Sequence, residues 1–163
     1  WSESNVYEAN TKNLVSGTGG SRFEPDRKVT RAEFVTMLSR ASELRPEIYE
    51  GVFTDVNKDD WYAMYMQSAY NVGIIDGSLA RPNDYITREE MCIMAMRAFE
   101  KKHKAVPQKL SFVDINEISD VESVSKAYGS GIIKGYDDNT FRPRNVLTRS
   151  EAVAVILSLY NKG

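Results

Sequence analysis

The chain has 163 residues, of which 42% are hydrophobic, so it carries enough apolar surface for a core and global disorder is excluded. Its formal net charge is -2, with 21 basic and 23 acidic residues interspersed, so it lacks the extended positive field typical of nucleic-acid-binding proteins. One cysteine and one histidine exclude an internal disulfide scaffold and a zinc site, and no catalytic set stands out. We therefore expect a non-enzymatic domain without metal or cofactor.

The chain begins at Trp1 with neither a methionine nor a leader, which we interpret as a fragment or a processed region of a longer protein. No apolar run approaches the roughly 20 residues needed to span a bilayer. In chain order, a first helix is predicted at three places, about Trp1 to Leu14, Trp61 to Val72 and Ser119 to Gly129.

A second, more strongly patterned helix follows each of these, and its start carries the sequence Thr-Arg-x-Glu at residues 30–33, 87–90 and 148–151. A threonine followed three residues later by a glutamate, and then by an apolar run, is the capping-box pattern of a helix start. The predicted caps are Thr30 with Glu33, Thr87 with Glu90, and Thr148 with Glu151. We expect the apolar faces of these helices to form the core.

The capped helices belong to a longer repeat. A proline lies five residues before each capping threonine, and a Gly-Ile-Ile turn at residues 73–75 returns at 131–133. Further upstream, a Phe-x-Asp-Val segment at 53–56 matches Phe-x-Asp-Ile at 112–115. We predict three repeats, at residues 1–45, 51–104 and 110–163, of which the first is incomplete on its N-terminal side.

The arginine of the motif is unexpected on local grounds, because the helix dipole disfavours a cation at the first helical position by about 0.3–1 kcal/mol. Two compatible interpretations are open. In one, Arg31, Arg88 and Arg149 form salt bridges to a neighbouring repeat, with Asp55 and Asp114 as the obvious partners. In the other, each guanidinium lies beside free backbone N–H groups of a helix start, where it binds a carboxylate or phosphate.

Two further features lie near the first helices. Trp1 and Trp61 occupy equivalent positions, where burial in the core and contact with a sugar ring are both open. Residues 55–60 begin like a calcium loop but lack the glycine at its sixth position and the glutamate at its twelfth. We interpret them as a turn in which Asp59 or Asp60 caps a helix that begins at Trp61.

Taken together, the Phe-x-Asp-Val segment, the glycine turn, the proline and the Thr-Arg-x-Glu motif resemble the surface-layer homology (SLH) domain, whose Thr-Arg-Ala-Glu signature stands unchanged at residues 30–33. The resemblance covers almost the whole chain as three tandem copies. It implies a mainly α fold in which helix-loop-helix repeats pack as a pseudo-threefold trimer around a central bundle of capped helices. It also implies an extracellular module that attaches an S-layer or exocellular protein to the bacterial cell surface.

The resemblance further implies that the motif arginines bind a secondary cell wall polymer, typically one with pyruvate ketals on N-acetylmannosamine. We expect each groove to combine an arginine with residues of the next repeat. The implied sets are Arg31 with Asp55, Trp61, Gly77 and Ser78; Arg88 with Asp114 and Gly135; and Arg149 with Trp1 and Gly17. Because Ser119 replaces the tryptophan in repeat three and repeat one lacks its aspartate segment, the first groove is the strongest candidate, although its loop is three residues shorter.

We therefore expect a monomeric module with an internal pseudo-trimer that binds cell wall polysaccharide, without nucleic acid or membrane insertion. A protein-interaction or lattice-forming module is the alternative, in which the grooves receive another chain. A carbohydrate-active enzyme is disfavoured, because no pair of carboxylates stands in a recognisable glycosidase context.

Overall fold

The computed structural model of the chain describes residues 3–15 and 24–162. Within these ranges it has six α-helices, one 3-10 turn at Ile115–Glu117 and no β-sheet, which confirms the predicted mainly α fold. The helices are α1 (Glu3–Thr11), α2 (Arg31–Ala41), α3 (Ala63–Asn71), α4 (Arg88–Phe99), α5 (Val121–Gly129) and α6 (Arg149–Tyr160). Each repeat contributes two helices, and the second of each pair follows the Thr-Arg-x-Glu motif.

The capped helices α2, α4 and α6 each begin with a complete capping box. At α2 the Thr30 hydroxyl accepts the Glu33 N–H over 3.3 Å, and the Glu33 carboxylate accepts the Thr30 N–H over 3.0 Å. The same two bonds form at the other two starts, between Thr87 and Glu90 and between Thr148 and Glu151. These bonds satisfy donors that a helix start otherwise leaves open, so a few consecutive residues fix where each helix begins.

The capped helices also form the middle of the core. Helix α2 contacts both α4 and α6. Phe34 of α2, Met91 of α4 and Ile156 of α6 are completely buried, together with apolar residues from the loops. Burial of these side chains is the main driving force for bringing the repeats together, at about 25 cal/mol for each Å² of apolar surface removed from water.

The outer helices link each repeat to the one before it. Helix α3 of repeat two packs on α2 of repeat one, and α5 of repeat three packs on α4 of repeat two. Helix α1 of repeat one packs on α6 of repeat three, which closes the circle. Lys12 supports this closure, because its Nζ donates to Asn161 Oδ1 over 3.1 Å and lies 4.5 Å from the centroid of the Tyr160 ring. The main partner of each capped helix is therefore supplied by another repeat.

Backbone hydrogen bonds near the axis repeat the same threefold pattern. The residue before each capping threonine, which is Val29, Ile86 or Leu147, is completely buried. The Val29 N–H donates to Leu147 O, the Ile86 N–H to Val29 O and the Leu147 N–H to Ile86 O, each over 3.0 Å. Because each residue donates to one neighbour and accepts from the other, the repeats close on one another as a pseudo-threefold trimer.

Helix α3 begins later than the sequence predicted. The expected cap was Asp59 or Asp60, but the helix starts at Ala63 with Tyr62 in the cap position and no side-chain cap bond. The Asp60 carboxylate instead accepts the Asn57 N–H over 2.8 Å. That bond closes the turn before the helix, so the carboxylate is already engaged and the predicted cap is wrong.

Candidate functional site

Each motif arginine extends from the start of its own helix toward the next repeat, and three grooves result. The first groove lies between Arg31 and the part of repeat two formed by residues 76–82 and α4. The second lies between Arg88 and the part of repeat three formed by residues 134–143 and α6. The third pairs Arg149 with repeat one, whose residues 16–23 lie outside the described ranges.

The Arg31 side chain is 10% exposed and is held by repeat two. Its Nε donates to Ala80 O over 2.9 Å, and its Nη1 donates to Glu90 Oε1, also over 2.9 Å. The salt-bridge interpretation is therefore correct in kind but wrong about the partner, because the paired carboxylate is Glu90 and not Asp55.

Arg88 and Arg149 are buried in the same way. Arg88 Nε donates to Phe141 O over 2.8 Å, and its Nη1 lies 3.8 Å from Glu151 Oε1. Arg149 Nη1 lies 3.9 Å from Glu33 Oε1. Each motif arginine thus faces the capping glutamate of the next repeat around the ring.

The two aspartates act on the loops rather than on the arginines. Asp55 accepts the N–H groups of Ala80 and Arg81 over 2.8 and 2.7 Å. Asp114 accepts the N–H groups of the corresponding residues of repeat three, 141 and 142, over 2.8 and 2.7 Å. Arg81 has a left-handed backbone, with φ of 50°, which is unfavourable for a residue with a side chain. The carboxylates therefore hold strained loops whose carbonyl groups, in turn, accept the arginine Nε.

The backbone N–H groups at the helix starts are not free, so that part of the anion-site interpretation is wrong. The Arg31 N–H donates to Asp84 O over 2.8 Å, and the Ala32 N–H donates to Pro82 O over 3.0 Å. The starts of α4 and α6 are bonded to the next repeat in the same way. Among the described residues, the arginine side chain and not the helix-start backbone can therefore meet an external ligand there.

The electrostatics keep these groups charged. Burial lowers the pKa of Arg31 and of Arg149, because a buried guanidinium loses hydration, and a facing glutamate partly offsets this effect. Burial alone raises the pKa of Glu90, but the Thr87 N–H and the charge of Arg31 outweigh burial, so the Glu90 pKa is lowered. The carboxylate is ionised at neutral pH and remains paired.

A pocket of about 190 Å³ opens in the first groove. Its charged lining comprises Arg31, Asp76, Arg81, Glu90 and Arg97. Arg97 pairs with Asp76 over 3.0 Å, and Arg81 pairs with Glu90. Arg31 lines the pocket, and its Nη2 donates to no acceptor among the described residues. Three guanidinium groups against two carboxylates leave the pocket net positive, which suits an anion.

The predicted aromatic and glycine residues have different surroundings. Trp61 is 62% exposed and makes an edge-to-face contact with Tyr62, so its burial in the core is excluded. Gly77 has φ of 88°, and nothing lies within 4 Å of where a Cβ would stand. Ser78 O accepts the Thr54 N–H over 2.9 Å. Trp1 and Gly17 lie outside the described residues.

Gly135, the counterpart of Gly77, is tightly packed. A Cβ at this position would lie 2.4 Å from Cε1 of Phe112. Packing against Phe112 therefore explains why residue 135 is a glycine, whereas the surface over Gly77 is open.

Arg81, Arg97 and Tyr136 are groove residues that the sequence motifs did not indicate. Arg81 could have been found, because an Arg-Pro pair precedes the motif in both repeat two and repeat three. Arg97 lies ten residues after the capping threonine of α4, and Arg40 lies ten residues after Thr30, so this position recurs in repeats one and two, whereas repeat three has Ser158 there.

Other chemistry has little basis in residues 3–15 and 24–162. No group of His, Cys, Asp and Glu in these ranges could hold a metal ion. The helices found there are all too short or too polar to cross a membrane.

A closed ring of three helical repeats, with a buried arginine at each junction, defines a compact tandem-repeat module rather than an open solenoid. The chain belongs to the S-layer homology domain family, whose profile matches residues 1–35, 52–92 and 111–153. The resemblance drawn from the motifs is thereby confirmed. The chain is a module of the bacterial cell surface.

Relatives include both enzymes and an anchoring protein. The chain is 40% identical to an amylopullulanase of Thermoanaerobacterium thermosulfurigenes over 99% of its length, and 40% identical to the exoglucanase XynX of Acetivibrio thermocellus over 99%. It is 28% identical to a cellulosome-anchoring protein of A. thermocellus over 92%. The chain spans only 9%, 16% and 36% of these three proteins, so it is similar to one region of each.

Proposed function

We propose that the chain is a non-catalytic module that anchors a larger extracellular protein to the cell wall by binding an anionic wall polysaccharide between its repeats. The observation that supports the proposal best is the hydrogen bonding of the Arg31 guanidinium. Its guanidinium is fixed by Ala80 O and Glu90, yet Nη2 has no acceptor among the described residues and the side chain lines a positively charged pocket. A preformed donor of this kind binds a carboxylate without first having to be ordered.

The polymer that fits best carries pyruvate ketals on N-acetylmannosamine. The ketal supplies a carboxylate that accepts a hydrogen bond from Nη2, with Arg81 and Arg97 adding positive charge nearby. The open surface over Gly77 lets a sugar ring approach the backbone, and the exposed Trp61 ring offers an apolar face to the polymer. Asp55 and Ser78 contribute by holding the loop, through the bonds that Asp55 accepts from residues 80 and 81 and that Ser78 accepts from Thr54.

The other two grooves belong to the same proposal, with Arg88, Asp114 and Gly135 in the second and Arg149, Trp1 and Gly17 in the third. A monomeric module with more than one groove gains residence time on a polymer, because the second binding event is intramolecular. The predicted repeat boundaries, at 1–45, 51–104 and 110–163, place each groove between two such units.

The test is retention of the purified chain on wall sacculi prepared with and without the pyruvylated polymer. Arg31→Lys keeps a charge opposite Glu90 but removes the forked donor, so we expect binding about 10-fold to 100-fold weaker. Arg45→Lys is the matched control, because Arg45 is exposed and lies outside the first groove. Equal retention on both preparations contradicts the proposal. Self-association without glycan favours the lattice-forming alternative, and turnover of the polymer favours an enzyme.

A further inference from the structure

The first two grooves are equivalent in sequence position but differ in what covers the arginine. In the second groove the Tyr136 ring lies against Arg88, with 4.5 Å from the guanidinium carbon to the ring centroid. Arg142 lies over the same ring, at 4.3 Å. The Tyr136 hydroxyl donates to Glu151 Oε1 over 3.0 Å. The ring is therefore held by two cations and one carboxylate within the groove.

Arg88 and Arg31 also differ in the hydrogen bonds that their terminal nitrogens make. Arg88 Nη2 donates to Lys134 O over 3.1 Å. The residue equivalent to Lys134 in repeat two is Asp76, and Arg31 Nη2 donates to no described residue. Arg88 also lies 5.1 Å from the Phe141 ring centroid, where repeat two has Ala80. Each arginine therefore makes two hydrogen bonds, but the remaining nitrogen of Arg88, Nη1, faces Glu151 at 3.8 Å, whereas the remaining nitrogen of Arg31, Nη2, faces no described carboxylate.

The cause lies in the length of the loop. Repeat three has six residues between Gly135 and Arg142, and two of them, Tyr136 and Phe141, are aromatic. Repeat two has only three residues between Gly77 and Arg81, and none of these is aromatic. Without a ring over Arg31, the first groove opens into the pocket of about 190 Å³. The Arg31 and Arg88 side chains are almost equally buried, at 10% and 9% exposed, so the grooves differ in what lies beside each arginine: the pocket beside Arg31 and the Tyr136 ring beside Arg88.

We infer that Tyr136 is an internal occupant of the second groove and determines which grooves bind: the first groove takes an acidic sugar unit with one carboxylate, and the second stays closed while Tyr136 is in place. This inference rests on the proposed function, since it assumes that the grooves receive such a sugar. Tyr136 occupies the second groove by stacking on Arg88, and it also engages the carboxylate that faces Arg88, Glu151. The inference narrows the proposed function: while Tyr136 is in place Arg88 has a structural role, and binding is left to the other grooves.

The experiment is isothermal titration calorimetry of the chain with the methyl glycoside of pyruvylated N-acetylmannosamine. We compare the unmodified chain, Tyr136→Ser, Arg31→Ala and the double variant Arg31→Ala/Tyr136→Ser. Serine is chosen because Ser78 follows Gly77 in the open groove. Tyr136→Ser should add one binding site per chain, and the double variant should regain binding that Arg31→Ala loses. Tyr136→Phe is the matched control: it keeps the ring and should add no site.

A second comparison leaves Tyr136 unchanged, so it holds even where Tyr136→Ser fails to fold. Arg31→Lys should weaken binding about 10-fold to 100-fold, whereas Arg88→Lys should change it less than about twofold. Equal losses in these two variants overturn the inference, as does a folded double variant that binds no better than Arg31→Ala. In both cases the unmodified chain still binds, which separates this failure from that of the proposed function. An unmodified chain that binds no glycoside overturns both.

Discussion

Glu90 joins two repeats through its two carboxylate oxygens: Oε2 accepts the N–H of its own cap residue, Thr87, over 3.1 Å, and Oε1 accepts from Arg31 of the preceding repeat over 2.9 Å. Glu33 and Glu151 are shared in the same way, since each caps its own helix and faces the motif arginine of another repeat. Helix initiation and assembly of the ring therefore depend on the same three carboxylates.

Glu90→Gln should separate these two roles. The amide oxygen can still accept the Thr87 N–H, but the charge that pairs with buried Arg31 is lost, so we expect the free energy of unfolding to fall by about 1–3 kcal/mol. Urea denaturation followed by circular dichroism measures this. Glu43→Gln is the control, because Glu43 pairs with an exposed lysine, Lys102, and should cost less than about 1 kcal/mol. Equal losses would show that the buried pair of Glu90 and Arg31 stabilises the fold no more than the exposed pair of Glu43 and Lys102.

The same carboxylate predicts how stability depends on pH. The pKa of Glu90 is lowered in the folded protein from its ordinary value of 4.5, so the folded state binds the proton less readily than the unfolded state. Its contribution to stability is present above that ordinary value and is lost as the pH falls toward the folded pKa. Thermal unfolding across this acidic range should show a steeper decline for the unmodified chain than for Glu90→Gln. Parallel curves would contradict the assignment.

Thr30→Ala should remove the side-chain acceptor at the start of α2 and leave the Glu33 N–H without its partner. The expected loss of unfolding free energy is about 1 kcal/mol, within a range of about 0.5–2 kcal/mol for caps of this kind. Thr30→Ser keeps the hydroxyl and should lose much less. The melting temperatures of the two variants decide the matter, and an equal decrease would show that the methyl group of Thr30, and not its hydroxyl, is important.

Gly135→Ala and Gly77→Ala should both destabilise the fold, but for different reasons. At Gly135 the new methyl group meets the Phe112 ring, and overpacking of this kind costs about 1–3 kcal/mol. At Gly77 the space is open but φ is 88°, so the cost is backbone strain of about 1–2 kcal/mol. Introducing Phe112→Leu should reduce the cost of Gly135→Ala and leave that of Gly77→Ala unchanged. A double-mutant cycle from thermal unfolding measures this coupling. If no coupling is found, contact with Phe112 does not explain the cost of Gly135→Ala.

The features that the sequence predicted are local or repeated. Thr30 and Glu33 are three residues apart, so their reciprocal bonds depend on little beyond the helix itself. The recurrence of the motif predicted three repeats, whereas their threefold arrangement was implied by the resemblance to the SLH domain.

The features that could not be predicted depend on residues far apart in the chain. Asp55 and Arg31 looked like an ion pair by charge, yet Asp55 accepts N–H groups of a strained loop, and only the folded position of residues 80 and 81 makes this evident. The prediction that the N–H groups at the helix starts are free was wrong for the same reason. Their acceptors at the start of α2, Asp84 O and Pro82 O, come from another repeat.

The circular packing of the repeats also has a consequence for the order in which the chain folds. Repeats stacked in a line can fold one after another, since each needs only its neighbour. Here the Val29 N–H needs Leu147 O, and α1 needs α6, so the first repeat cannot complete its contacts before the last has been synthesised. A high share of such distant contacts slows folding and makes it a single cooperative event. A nascent chain that ends before α6 therefore leaves apolar surface of its first repeat open to chaperones.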